Sequence, residues 1–88
     1  MDITFDPAKS ARNLEERGMS FDLAAEVFAS GNVSESPDDR FDYGEERIVT
    51  YGHLRGRLVV VVWTQRGAAR HIISMRKANA REQKNFGF

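Results

Sequence analysis

Six consecutive apolar residues, Leu58-Val59-Val60-Val61-Val62-Trp63, constrain this chain more than any other stretch. β-Branched and aromatic side chains suit a pleated strand, and the lack of alternation requires burial on both faces, so the run reads as a central strand. A break at Gln65-Arg66-Gly67-Ala68 follows, and then a second strand-like run, Ala69 to Met75. With Arg66-Gly67-Ala68 as the loop, the hairpin register sets Trp63 beside His71, Val61 beside Ile73 and Val59 beside Met75. The other face then carries Thr64 with Arg70, Val62 with Ile72, Val60 with Ser74 and Leu58 with Arg76. This register predicts that Arg70 and Arg76 share a face and that His71 lies near the core with Trp63.

A chain of 88 residues is expected to form one domain, 1–88, because two cores of half this size would each be too small. The absence of cysteine excludes a disulfide scaffold and a thiolate metal site, and fits a reducing compartment. No apolar run approaches the roughly 20 residues of a membrane span. The opening Met1-Asp2-Ile3-Thr4 has none of the features of a secretion signal. The expectation is a cytoplasmic protein with no membrane contact.

The formal net charge of zero conceals a strong polarity. Residues 1–46 carry four basic against 12 acidic side chains, whereas residues 47–88 carry nine arginines and lysines against the single acid Glu82. Seven of those nine are arginines, whose planar fork suits bidentate phosphate contact. A polyanion partner is one reading of the basic half, and pairing of the two halves within the fold is the other.

Along the chain, Ile3 to Phe5 reads as a short strand. Asp6-Pro7 is a helix start, with Asp as the cap and Pro where its missing N–H costs nothing. That helix is predicted over Pro7 to about Arg17, with Ala8, Ala11 and Leu14 near one face and Gly18 ending it. Ser20 is read as the cap of a second helix whose Phe21, Ala24, Ala25, Val27 and Phe28 recur at helical spacing. Asn32 to Asp42 reads as a polar surface loop, with a short edge strand near Arg40 to Tyr43. Glu45 to Gly52 alternates as a half-buried strand does, and His53 to Gly56 turns the chain into the central strand. A polar helix is predicted from Arg76 to about Asn85. The order is β-α-α-β-β-β-α. The class is α+β, an antiparallel sheet with the two N-terminal helices packed on one face and a C-terminal helix.

No paired histidine spacing, glycine-rich phosphate loop or nucleophile elbow is present, so neither a metal nor another cofactor is expected. What remains is a constellation of Glu45, Arg47, Arg66, Arg70, Arg76 and Lys77. One carboxylate among arginines is a set that phosphodiester transesterification can use: the cations neutralise charge on the phosphate and the carboxylate accepts the proton of a ribose 2′-OH. A salt-bridged sheet surface would use the same residues for structure alone.

The chain resembles the BrnT family of bacterial type II toxins, which share a compact RelE-like fold. The matching pieces are Phe5-Asp6-Pro7-Ala8-Lys9, Asn13, Gly18-Met19-Ser20-Phe21 with Ala24 and Val27-Phe28, Gly44-Glu45-Glu46-Arg47, Gly52, Thr64 with Arg66, and Arg70 through Ala78, with Glu82 after it. The resemblance implies a growth-arresting endoribonuclease and a cognate ribbon-helix-helix antitoxin, BrnA-like, that binds the toxin and represses the shared operon through operator DNA. It also implies Glu45, Arg66 and Arg76 as catalytic residues, and Lys9, Arg47, Arg70 and Lys77 as contacts to RNA phosphates. Two departures lower the expected activity. Arg17 stands where many members have histidine, and Phe86 where a tyrosine is common, which leaves the acid for the 5′-oxygen unassigned. A member that binds its partner or RNA without cutting, or a small nucleic-acid-binding regulator, is the alternative.

Overall fold

The computed structural model describes residues 2–38 and 44–87. The elements are β1 (Asp2–Phe5), α1 (Pro7–Arg17), a 3-10 turn (Phe21–Leu23), α2 (Ala24–Ala29), β2 (Val33–Pro37), β3 (Ile48–Leu54), β4 (Arg57–Arg66), β5 (Ala69–Lys77) and α3 (Ala80–Phe86). The strands form one five-stranded sheet in the order β1-β5-β4-β3-β2, with β4 in the centre as its composition requires. The α+β class holds, with two differences from the expected sheet. It is mixed, because β1 runs parallel to β5, and it gains β2 within the stretch read as a surface loop. The expected edge strand near Arg40 to Tyr43 lies outside the described residues.

Both faces of β4 are covered, by unequal layers. On the core face Val59, Val61 and Trp63 pack with Ile72, Met75 and Leu54 under Met19, Phe21, Ala24 and Val27. On the opposite face Leu58 and Val60 pack with Ala78, Val49, Tyr51 and Phe86, so α3 is the cover there. Phe86 stacks on Tyr51 with centroids 4.0 Å apart. Against the sheet, α2 packs chiefly on β3 and α1 chiefly on β5.

The β4–β5 register departs from the expected one. The turn is Gly67-Ala68, with Gly67 at φ 59° as the first position of a type II′ turn needs, so Arg66 pairs with Ala69 and Trp63 with Ile72. A bulge between Val62 and Trp63 then adds one residue on β5, and Val62 pairs with Ser74, Val61 with Met75 and Val60 with Arg76. Because side chains alternate along a strand, one extra residue exchanges the faces beyond it. Arg70 therefore lies on the core face and Arg76 on the opposite one, and they do not share a face. His71 moves off the Trp63 face and stands beside Thr64.

Helix α1 also differs from the expectation in its orientation. Ala8, Ala11 and Leu14 are exposed, Leu14 by 52%, while Ser10 and Asn13 are buried. The two polar side chains clamp the chain that follows. Ser10 Oγ accepts the Phe21 N–H at 2.8 Å, and Asn13 Nδ2 donates to the Met19 carbonyl at 2.7 Å. Ser20 makes no side-chain cap, and the second helix opens with a 3-10 turn in which the Leu23 N–H reaches the Ser20 carbonyl at 3.2 Å. At the C-terminus β5 runs on to Lys77, and the helix starts only after Asn79, which forms a capping box with Glu82.

Two substitutions test this packing. A Cβ on Gly52 would meet Val27 Cγ1 at 2.7 Å and Val33 Cγ1 at 3.0 Å, so Gly52→Ala is expected to cost about 1–3 kcal/mol. Ser10→Ala leaves the buried Phe21 N–H without its acceptor and is expected to cost about 1–3 kcal/mol. Urea midpoints at unchanged m-value are the readout for both.

Candidate functional site

At the hairpin end of the opposite face, beyond the reach of α3, the strands bring Thr64, Arg66 and His71 side by side, with Thr4 of β1 next to them. The segment before β3 is held there by Thr64, whose hydroxyl donates to the Glu46 carbonyl at 2.7 Å. This places Glu45 Oε1 3.8 Å from Arg66 Nη2, with the Glu45 side chain 36% and the Arg66 side chain 55% exposed. Glu45 and Arg66, two of the residues expected from the sequence, thus meet at one place.

His71 completes the cluster. Its Nδ1 lies 2.9 Å from Thr4 Oγ1 on the neighbouring parallel strand, close enough for a hydrogen bond in either tautomer. Its pKa is held below the ordinary 6.5, first by burial and next by the Arg66 cation; the negative charge of Glu45 opposes this, and Lys9 and Asp6 act in opposite senses from the start of α1. His53, expected in a turn, is a β3 residue paired with Leu58.

The other expected site residues are spread more widely. Arg47 is half-buried just before β3, where its carbonyl accepts the Asp38 N–H at 2.8 Å. Arg76 reaches down the same face towards α3 and forms a two-pronged bridge to Glu82 at 2.7 and 2.8 Å. Glu82 also accepts the Asn79 N–H, so Arg76 is tied to the cap of α3. Arg70 lies on the core face with its Cζ 3.9 Å from the Phe28 ring centroid and 5.1 Å from that of Trp63. Lys77, opposite Val59 in the register, is exposed at the end of β5.

Between α3 and the cluster, the face holds a groove of about 370 Å³ floored by Val49, Val60 and Val62 and rimmed by Arg17, Asp38 and Arg76. Ser74 sits in this groove one strand pair from His71. Among the described residues no group of three or more His, Cys, Asp or Glu gathers as a metal site. No helix among them is long and apolar enough to cross a membrane.

His71 was read onto the Trp63 face because a three-residue loop was expected where the turn has two residues, Gly67-Ala68. Thr4 was missed because the parallel pairing of β1 with β5 has no local signal.

The depressed His71 pKa carries a sign. The native state disfavours the imidazolium and binds fewer protons than the unfolded chain, so this contribution to stability is present above about pH 6.5 and is lost as pH falls through the native pKa. Melting temperatures of the parent and of His71→Gln, followed from about pH 8 to about pH 5, should show the parent losing more stability on the acid side.

No curated protein matches the chain. The family model described as "Ribonuclease toxin, BrnT, of type II toxin-antitoxin system" matches residues 5–82, from the end of β1 to the first turn of α3, and includes Glu45, Arg66 and His71. The chain therefore belongs to the BrnT family, the ribonuclease toxins of type II toxin-antitoxin systems.

Proposed function

We propose that the chain is an endoribonuclease of RelE-like fold, acting in the cytoplasm as one domain, that cuts RNA by metal-independent transesterification at the hairpin end of the opposite face. The observation that carries this is the Glu45–Arg66 pair, exposed at 3.8 Å separation beside His71. A pair this open to solvent adds little stability, about 0–1 kcal/mol. It does hold an arginine in place with donors left over for an anion.

In this reading Arg66 neutralises the charge that develops on the scissile phosphate as the ribose 2′-oxygen attacks, and Glu45 orients Arg66. Lys9 and Arg47, on either side of the cluster, contact neighbouring phosphates. Arg70 is assigned to packing against Phe28 and Trp63, Lys77 to solvent, and Arg76 to anchoring α3 through Glu82. The antitoxin, taken as a BrnA-like ribbon-helix-helix protein, neutralises the enzyme by covering this face and carries the complex to operator DNA.

A binding-only member is the second reading. It draws support from Arg76, whose guanidinium is engaged by Glu82 rather than set beside Arg66.

The test is incubation of the purified chain with RNA beside a Glu45→Gln, Arg66→Ala double variant. The parent is expected to leave 2′,3′-cyclic phosphate ends, and the variant to lose about 10²–10³-fold in rate. Equal cleavage by both would place the chemistry elsewhere. Cleavage by neither, with a tight antitoxin complex, would establish the binding-only reading.

A further inference from the structure

We propose that His71 is the general base of the cleavage reaction, taking the proton of the attacking 2′-hydroxyl on Nε2 while Thr4 holds Nδ1. The inference rests on the ribonuclease reading above and names the proton acceptor that reading lacks. Two observations from separate elements converge on the imidazole. It stands on the face that carries Arg66, half-buried beside Thr64 and past the end of α3. Its Nδ1 is engaged at 2.9 Å by Thr4 Oγ1 of β1. With Nδ1–H donating to that oxygen, Nε2 is the bare acceptor that a base requires.

The charges around it are arranged for this task. Burial and the cations Arg66 and Lys9 keep the resting imidazole neutral, as a base at neutral pH must be. Glu45 and Asp6 pull the other way, and their negative charge favours the imidazolium once the proton arrives. Glu45 thereby serves two cations, the permanent one on Arg66 and the transient one on His71.

The step balances. The O2′–P bond forms as the P–O5′ bond breaks, and the 2′-hydroxyl proton passes to His71. The 5′-oxygen takes a proton from solvent, His71 returns its own to solvent, and the products are a 2′,3′-cyclic phosphate and a 5′-hydroxyl.

The experiment measures kcat/KM against pH for the parent, His71→Asn, Thr4→Val and His53→Asn, each first shown to be folded by circular dichroism. In parallel, imidazole NMR titrations are run with an oligonucleotide carrying a 2′-deoxy sugar at the scissile position. His53→Asn also assigns the signals, since the chain has only two histidines. The parent should show an acid limb below about pH 6.5, the activity rising with pH as His71 loses its proton. His71→Asn should abolish that limb and lower the rate about 10²–10⁴-fold, while His53→Asn keeps it. Thr4→Val should keep the limb and displace its midpoint.

A limb that survives in His71→Asn overturns the proposal while leaving the ribonuclease reading intact. Should the parent cut no RNA, the titration decides. A His71 pKa raised by the uncleavable oligonucleotide supports its place at the phosphate, and an unmoved one overturns it together with the ribonuclease reading.

Discussion

Because β4 presents valines to both sides, each face of the sheet needs a cover, and the two covers are unequal. The core face receives the 3-10 turn and α2, which bury Phe21, Ala24 and Val27 against it. At about 1.5–3 kcal/mol for each large side chain, this layer dominates the stability of the fold. Among the described residues the opposite face receives only the short helix α3, seven residues long, whose cluster holds Leu58 and Val60. What α3 leaves open is the row of Thr64 and His71 and the hairpin beyond. The proposed site sits where the apolar demand of β4 ends and its residues become Thr64, Gln65 and Arg66.

Much of this architecture was legible in the sequence. The six-residue apolar run gave the central strand, Asp6-Pro7 gave the start of α1, and the alternation around Ile48 and Thr50 gave the half-buried β3. Three features were not legible, each for a physical reason. The two-residue turn puts Arg70 and His71 on the faces opposite to those expected, and the bulge then returns Arg76 to its expected face; neither leaves a mark in the periodicity of a strand already rich in apolar residues. β2, with the sequence Val-Ser-Glu-Ser-Pro, has the composition of a loop and becomes a strand through tertiary partners. Its Glu35 accepts from Thr50, which in turn accepts from the Trp63 indole, a chain at 2.6 and 2.8 Å across three strands. The buried side of α1 is polar, because Ser10 and Asn13 serve the backbone of the next segment, so a search for an apolar stripe selected the exposed side.

The charge polarity of the sequence becomes internal pairing in part. Arg55 bridges to Glu26 and Arg66 to Glu45, each joining the basic half to the acidic half, while Arg76 meets Glu82 within the basic half. The two alternatives posed by the composition therefore coexist. Arg55 and Arg66 represent the pairing, and the exposed Arg66 pair keeps a cation available at the hairpin end of the face. Arg70 shows how far an arginine can depart from a phosphate role, lying flat against Phe28 and Trp63 with its Nε buried and without a hydrogen-bond partner among the described residues.

The parallel pairing of β1 with β5 carries a consequence for synthesis. Thr4 and His71 are 67 residues apart in sequence, and the bond between them joins the first strand to the last. At about 5–20 residues per second, the N-terminal strand waits several seconds for its partner to emerge. A nascent chain thus carries Lys9, Glu45 and Arg66 before it carries an assembled site. A protein able to attack RNA would be harmless to its own message for as long as the ribosome is still reading it.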